Sequence, residues 1–122
     1  MEYLFHLFQS PGFEPNLSPE SLEKDGFVHL SSAEQLLRTA NRWYSDADEL
    51  KVMVLNPEPL SEGLKWEDLY QRGEEFPHLY ASIPPQAVVA VARLQRDSAG
   101  EYTWPESLSG LLCPLLEPLS EE

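Results

Sequence analysis

Apolar positions along the chain fall into short runs separated by breaks rich in proline, glycine and acidic residues. Residues 3–8 form an aromatic and aliphatic run that predicts a buried strand. Within it His6 shares the two-residue period of Leu4 and Phe8. Pro11, Gly12 and Pro15 place a loop over residues 9–16. Ser18-Pro19-Glu20-Ser21 predicts a short helix, with serine as N-cap and proline in the first helical position. Asp25-Gly26 stops that helix by about residue 25, and Phe27-Val28-His29-Leu30 predicts a second strand.

The clearest helix follows. Ala33, Leu36, Leu37, Ala40, Trp43 and Tyr44 make one apolar stripe of helical period. Ser31-x-x-Glu34 has the form of a capping box, and Ser32 with Gln35 would serve one residue later. An acidic turn at residues 46–49 ends the helix, and residues 50–55 read as a strand closed by Asn56-Pro57-Glu58-Pro59. Leu64-Lys65-Trp66-Glu67 predicts a strand or edge segment. A polar loop through Gly73, Glu74 and Glu75 then leads into Phe76-Pro77-His78-Leu79-Tyr80. After Pro84-Pro85 the apolar run of residues 87–94 suits a central strand. The order of elements predicts an α+β domain with a split, mostly antiparallel sheet and flanking helices, over residues 1–97. Residues 98–122, with Pro105, Pro114, Pro118, Leu108, Leu111 and Leu112, read as an appended segment that packs through Trp104 and the leucines or extends as a tail.

Composition narrows the function. The formal charge of -13, from 8 Lys and Arg against 21 Asp and Glu, makes this an acidic protein and disfavours duplex nucleic acid as a partner. One nucleotide in a local pocket remains compatible, because Arg38, Arg42, Lys65 and Arg72 all fall mid-chain. The single cysteine, Cys113, forms no internal disulfide and supplies no metal-ligand spacing. No basic-then-apolar start marks a secretory signal, and no run approaches the roughly 20 apolar residues of a membrane span, so a cytoplasmic protein is expected. No glycine-rich dinucleotide or P-loop segment is present.

The candidate chemistry centres on the three histidines. His6 lies in an apolar strand, where an imidazole needs a hydrogen-bond partner, and the ordinary role of such a residue is structural. His29 stands where a strand meets a helix N-terminus, a place that favours anions. Ser31 and Ser32 beside it serve either as helix caps or as ligand contacts. His78 follows Pro77 and precedes Leu79-Tyr80, a stiff aromatic wall. Trp66-Glu67 sets an aromatic plane beside a carboxylate, suited equally to a flat ring with developing positive charge and to a surface edge. All three histidines are expected to line one pocket.

Three blocks in order, residues 25–35, Leu64-Lys65-Trp66-Glu67 and Phe76-Pro77-His78-Leu79-Tyr80, resemble the bacterial family called domain of unknown function 952. The resemblance covers roughly residues 3–95 and leaves out the C-terminal segment. It implies similarity to the ADP-ribosyltransferase-like fold, a split β-sheet around a nicotinamide dinucleotide cleft. The step from His29 to Ser31 also resembles a segment of RNA 2′-phosphotransferases. By this resemblance His6 would hold a ribose hydroxyl; for a transferase-like enzyme His29 and Ser31 would then be expected at the phosphates, with His6, His29 and Glu67 as the candidate catalytic residues and Glu67 a loose substitute for the superfamily's carboxylate element. Ser32, Trp66, His78 and Tyr80 would complete the ligand site. The chain departs from the superfamily in two places: His29-Leu30-Ser31 stands where a tyrosine is usual, and no late Glu-x-Glu or Gln-x-Glu element occurs.

Three functions follow as expectations. The first is a transferase-like or phosphotransferase-like enzyme binding NAD or an ADP-ribosyl compound. The second is a non-catalytic module binding a small molecule or peptide in the same cleft. The third is a metal-dependent enzyme with His6, His29 and His78 as ligands.

Overall fold

The computed structural model describes residues 3–9, 17–47, 49–69, 71 and 73–104. The first apolar run forms β1 (Leu4–Phe8), and the run before the prolines of residues 57–59 forms β3 (Lys51–Leu55). They pair antiparallel, with His6 opposite Met53, and β6 (Val88–Arg93) pairs antiparallel on the far side of β3. The order β1-β3-β6 makes β3 the central strand, and all five of its residues are buried. The expectation of a central strand at residues 87–94 is therefore corrected. With a neighbour on one side only among the described residues, β6 lies at the sheet edge and leaves Val89 exposed.

A second sheet joins β2 (Val28–His29), β5 (Phe76–Leu79) and β4 (Leu64–Glu67), again antiparallel, in the order β2-β5-β4. His29 lies directly opposite His78 in this sheet, and Lys65 opposite His78 from the other side. The sheets meet at one bridge. The Phe5 amide donates to the Ser31 carbonyl at 2.9 Å and the Ser31 amide donates to the Phe5 carbonyl at 2.8 Å. The split sheet predicted from the order of elements is thus present, and the fold is α+β.

Alternation along the strands builds two apolar layers from one sheet. Phe5, Val52, Val54 and Ala92 face one side, where Leu36 and Ala40 of helix α2 (Ala33–Trp43) cover them. Leu4, Met53 and Leu55 face the other, where Val28, Leu30 and Leu79 of the second sheet complete the core. The short helix α1 (Glu20–Lys24) ends as expected at Asp25-Gly26, where Gly26 takes a φ of 86° that a side chain would strain. A small hairpin, β7 (Gln95–Arg96) with β8 (Tyr102–Thr103), follows β6 and buries Tyr102 in the first core. The boundary expected near residue 97 falls inside this hairpin. Trp104 packs edge-on against Phe5, with ring centroids 5.6 Å apart. Cys113 and the leucines of residues 108–112 lie outside the described residues. Among the described residues no helix is long and apolar enough to cross a membrane.

At the start of α2 the structure selects the second of the two capping alternatives, and near its end the apolar stripe loses one member. Its N-cap is Ser32, whose Oγ accepts from the Gln35 amide while the Gln35 side chain accepts from the Ser32 amide. Ser31 is engaged with Phe5 in extended pairing, so the helix begins one residue later than Ser31-x-x-Glu34 would place it. Trp43 leaves the apolar stripe and is 58% exposed, stacked under the Arg42 guanidinium. Replacing Ser32 with alanine should lower folding stability by about 1 kcal/mol, the usual worth of a serine cap. A urea titration checks this, and a loss under a few tenths would contradict the capping role.

Candidate functional site

Beyond the Phe5–Ser31 bridge the chain after β2 turns into α2 while β1 runs on to Phe8, so the two sheets part. A cleft of about 1030 Å³ opens there, a volume at the upper end of small-molecule sites. His6, His29, Ser31, Glu67 and His78 line it together. The three rare imidazoles, separated by 23 and 49 positions in sequence, therefore share one cavity. From α2 the wall receives Arg38, Arg42 and Trp43, and from the sheets Phe8, Met53 and Phe76.

Each imidazole is held by one ring nitrogen. His6, only 8% exposed, donates from Nδ1 to the His29 carbonyl at 3.0 Å. This bond couples β1 to β2 beside the backbone bridge. Burial holds the His6 pKa below the usual imidazole value of 6.5, opposed by the bond to His29. His78, 2% exposed, sits 4.3 Å from the Phe27 ring, centroid to centroid, and donates from Nδ1 to Glu67 Oε1 at 3.0 Å. His29 is half-exposed and bonds through Nε2 to Asp25 at 3.0 Å. The His29 and His78 rings meet edge to face with centroids 5.7 Å apart.

Glu67 receives a second hydrogen bond on the same oxygen, from the Tyr80 hydroxyl at 2.7 Å. The Tyr80 and His78 bonds hold its carboxyl below the ordinary range, so it stays ionised, and the carboxylate in turn pushes the Tyr80 hydroxyl up. Lys65 lies over the Tyr80 ring, 5.1 Å from its centroid. The opposite wall is tied down by Gln35, which donates from Nε2 to the Glu75 carbonyl at 2.7 Å and to Glu74 at 3.0 Å. Arg38 donates to the same Glu74 carboxylate at 2.5 Å.

Not every expected site residue reaches the cavity. Ser32 is committed to capping α2. Trp66 pairs with Pro77 across the strands, on the face opposite Lys65 and Glu67, and is 45% exposed to solvent. Tyr80 acts on the cleft through Glu67 and does not line it. The three-histidine metal site is not assembled. No group of three or more His, Cys, Asp or Glu side chains among the described residues is placed to hold a metal ion, because each imidazole is turned to its own local partner. Asp25 was missed in the sequence, although its four-residue spacing from His29 was visible. Arg38 and Arg42 stand in the sequence as mid-chain cations, and their spacing of four on α2 sets them on one face.

The buried His6 makes folding pH-dependent in a defined direction. Its native pKa is lowered, so below pH 6.5 the unfolded chain binds a proton that the folded chain refuses. The His6 contribution is complete above 6.5 and is lost as pH falls toward the lowered native value. This adds a slope of up to about 1.4 kcal/mol per pH unit over that window. Urea titrations at several pH values should show this loss, and His6→Asn, which keeps a donor near the Nδ1 position, should flatten it. An identical slope in both proteins would refute the assignment.

A family model described as "Protein of unknown function (DUF952)" matches residues 11–91. Among solved structures, the chain is similar to the crystal structure of protein CC0527 from Caulobacter crescentus. The two are 29% identical with a TM-score of 0.70, over 91% of this chain and 98% of that one. The crystal structure of a double mutant of CC0527 is 28% identical with a TM-score of 0.69, over 91% and 98% of the two chains. The solution NMR structure of CC0527 is 30% identical with a TM-score of 0.63, over 92% and 97%. No curated protein matches the chain.

Proposed function

The chain belongs to the DUF952 family of proteins of unknown function, and from that premise we propose that its cleft binds NAD or a related ADP-ribosyl compound as a transferase-like enzyme. The observation that carries this is the joint lining of one nucleotide-sized cleft by His6, His29, His78 and Glu67 on the strands and Arg38 and Arg42 on α2. The parting of the two sheets at the cleft supports an ADP-ribosyltransferase-like assignment of the fold.

The chemistry is cleavage of the bond between nicotinamide nitrogen and ribose carbon. Nicotinamide departs with the bonding electron pair, and the ribose passes through an oxocarbenium-like state before a nucleophile adds to it. Glu67 is suited to stabilise that positive charge, because it is ionised and takes both of its hydrogen bonds on Oε1. Calorimetric titration with NAD and ADP-ribose should release heat, with weaker binding in His29→Ala. At saturating NAD, Glu67→Gln should abolish nicotinamide release. Absence of binding by both compounds would sink the proposal. The missing Glu-x-Glu element favours a second function, a non-catalytic module using the same cleft. Ligand-dependent thermal stabilisation without nicotinamide release would select it.

A further inference from the structure

The two sides of the cleft differ in hydrogen-bonding sense. A neutral imidazole carries one N–H, so His6 and His78, each donating from Nδ1, keep a lone pair on Nε2. His29, bonded through Nε2 to Asp25, keeps its lone pair on Nδ1. None of these three atoms has a hydrogen-bond partner among the described residues. Glu67 adds Oε2 as an open acceptor, since both of its bonds end on Oε1. Ser31, 5% exposed and lining the cleft, adds a hydroxyl with no partner among the described residues. His6 and His78 are more than nine-tenths buried, where a polar atom left unsatisfied is costly. The strand side is thus rich in acceptors. On the helix side Arg38 and Arg42 supply donors and positive charge, with the Glu74 carboxylate that lines the cleft held on Arg38.

We propose that the cleft is a site for a sugar phosphate, with vicinal hydroxyls donating to His29, His78 and Glu67 and the phosphate held by Arg42 and Arg38. This deepens the function proposed above and uses the same cleft, the ribose phosphate of an ADP-ribosyl compound being one member of the class. It reverses the ligand polarity expected from the sequence, where phosphates were placed at His29 and Ser31. A phosphate at His29 and Ser31 would face the Asp25 carboxylate 3.0 Å from His29 Nε2, and the Ser31 amide is already spent on the Phe5 carbonyl. At the helix end Arg38 is shared with Glu74, so Arg42, whose guanidinium lies 5.1 Å from the Trp43 ring centroid, is the principal phosphate donor.

Calorimetry of the full chain with ribose 5-phosphate, 2-deoxyribose 5-phosphate and inorganic phosphate tests this. Ribose 5-phosphate should bind about tenfold more tightly than the deoxy sugar, the worth of one hydrogen bond to a buried acceptor. Arg42→Gln should weaken both sugar phosphates. His78→Asn, which keeps a donor for Glu67 but removes the Nε2 lone pair, should weaken ribose 5-phosphate and leave inorganic phosphate unchanged. In nitrogen-15 spectra of the unmodified protein, ribose 5-phosphate should move the unprotonated ring nitrogens of His29 and His78, and inorganic phosphate should not. Equal binding of the two sugars, no binding of ribose 5-phosphate, or a shift of His29 by inorganic phosphate would overturn the proposal. Binding of ribose 5-phosphate without binding of ADP-ribose would uphold this site and remove the ADP-ribosyl function. Binding of ADP-ribose with no discrimination between the two sugars would do the reverse.

Discussion

Phe5→Ala is expected to destabilise the fold by about 3–5 kcal/mol, the range for truncating a fully buried phenylalanine. Phe5 is 0% exposed and sits in the core between β1, β3 and α2. Its ring also carries the edge-on contact with Trp104, so the cavity would reach the segment beyond β8. Its backbone makes the bridge to Ser31 that joins the two sheets. Loosening that seam should displace His6 relative to His29, whose side-chain-to-carbonyl bond lies beside it. Urea unfolding measures the first effect, and loss of ligand affinity beyond that of a remote core variant measures the second. A cost below about 2 kcal/mol would show that the site collapses to fill the void.

Arg96→Ala is the other change expected to weigh heavily, at about 2 kcal/mol, because one guanidinium serves several carbonyls at once. Its Nη2 donates to the Ser45 and Ala47 carbonyls at 2.9 and 2.8 Å and to the Tyr102 hydroxyl at 2.7 Å, and Nη1 donates to Gly100 at 2.6 Å. The Tyr102 hydroxyl passes the chain on to the Tyr44 carbonyl at the end of α2. A cation thus closes the negative end of that helix and anchors the β7–β8 hairpin to it. The guanidinium also lies 4.1 Å from the Tyr102 ring centroid. Arg96→Lys keeps the charge but loses the planar fork, and should recover less than half of the loss. Full recovery by lysine would mean that charge alone matters there.

Much of the local structure was legible beforehand. The stripe from Ala33 to Tyr44 and the serines before it located α2, since periodicity and capping are properties of adjacent residues. The breaks at Asp25-Gly26 and around residues 56–59 marked true element ends, because glycine and proline act on their own backbone. Pairing was not legible. An apolar run at residues 87–94 and one at residues 50–55 look alike in sequence, and only the arrangement of neighbours makes the second central and the first an edge. Trp43, a member of the apolar stripe in sequence, is exposed, and of the two places open to Trp66, pocket wall or surface edge, the structure gives the edge, because a tryptophan's type says nothing about which face its element turns inward.

The candidate site divides in the same way. Residue type and position near strand ends singled out His6, His29 and His78, with Ser31 and Glu67 beside them, and the family blocks hold all of these but His6. What brought them to one cleft was the antiparallel register that sets His29 opposite His78 and the single bridge that lets the sheets part after Phe5. By itself the sequence determined the elements up to β6, the acidic balance and the rare imidazoles, all of which follow from neighbouring residues and composition. Only the tertiary structure decided which ring nitrogen each imidazole commits and which it leaves open, because that choice rests on partners up to 23 residues away.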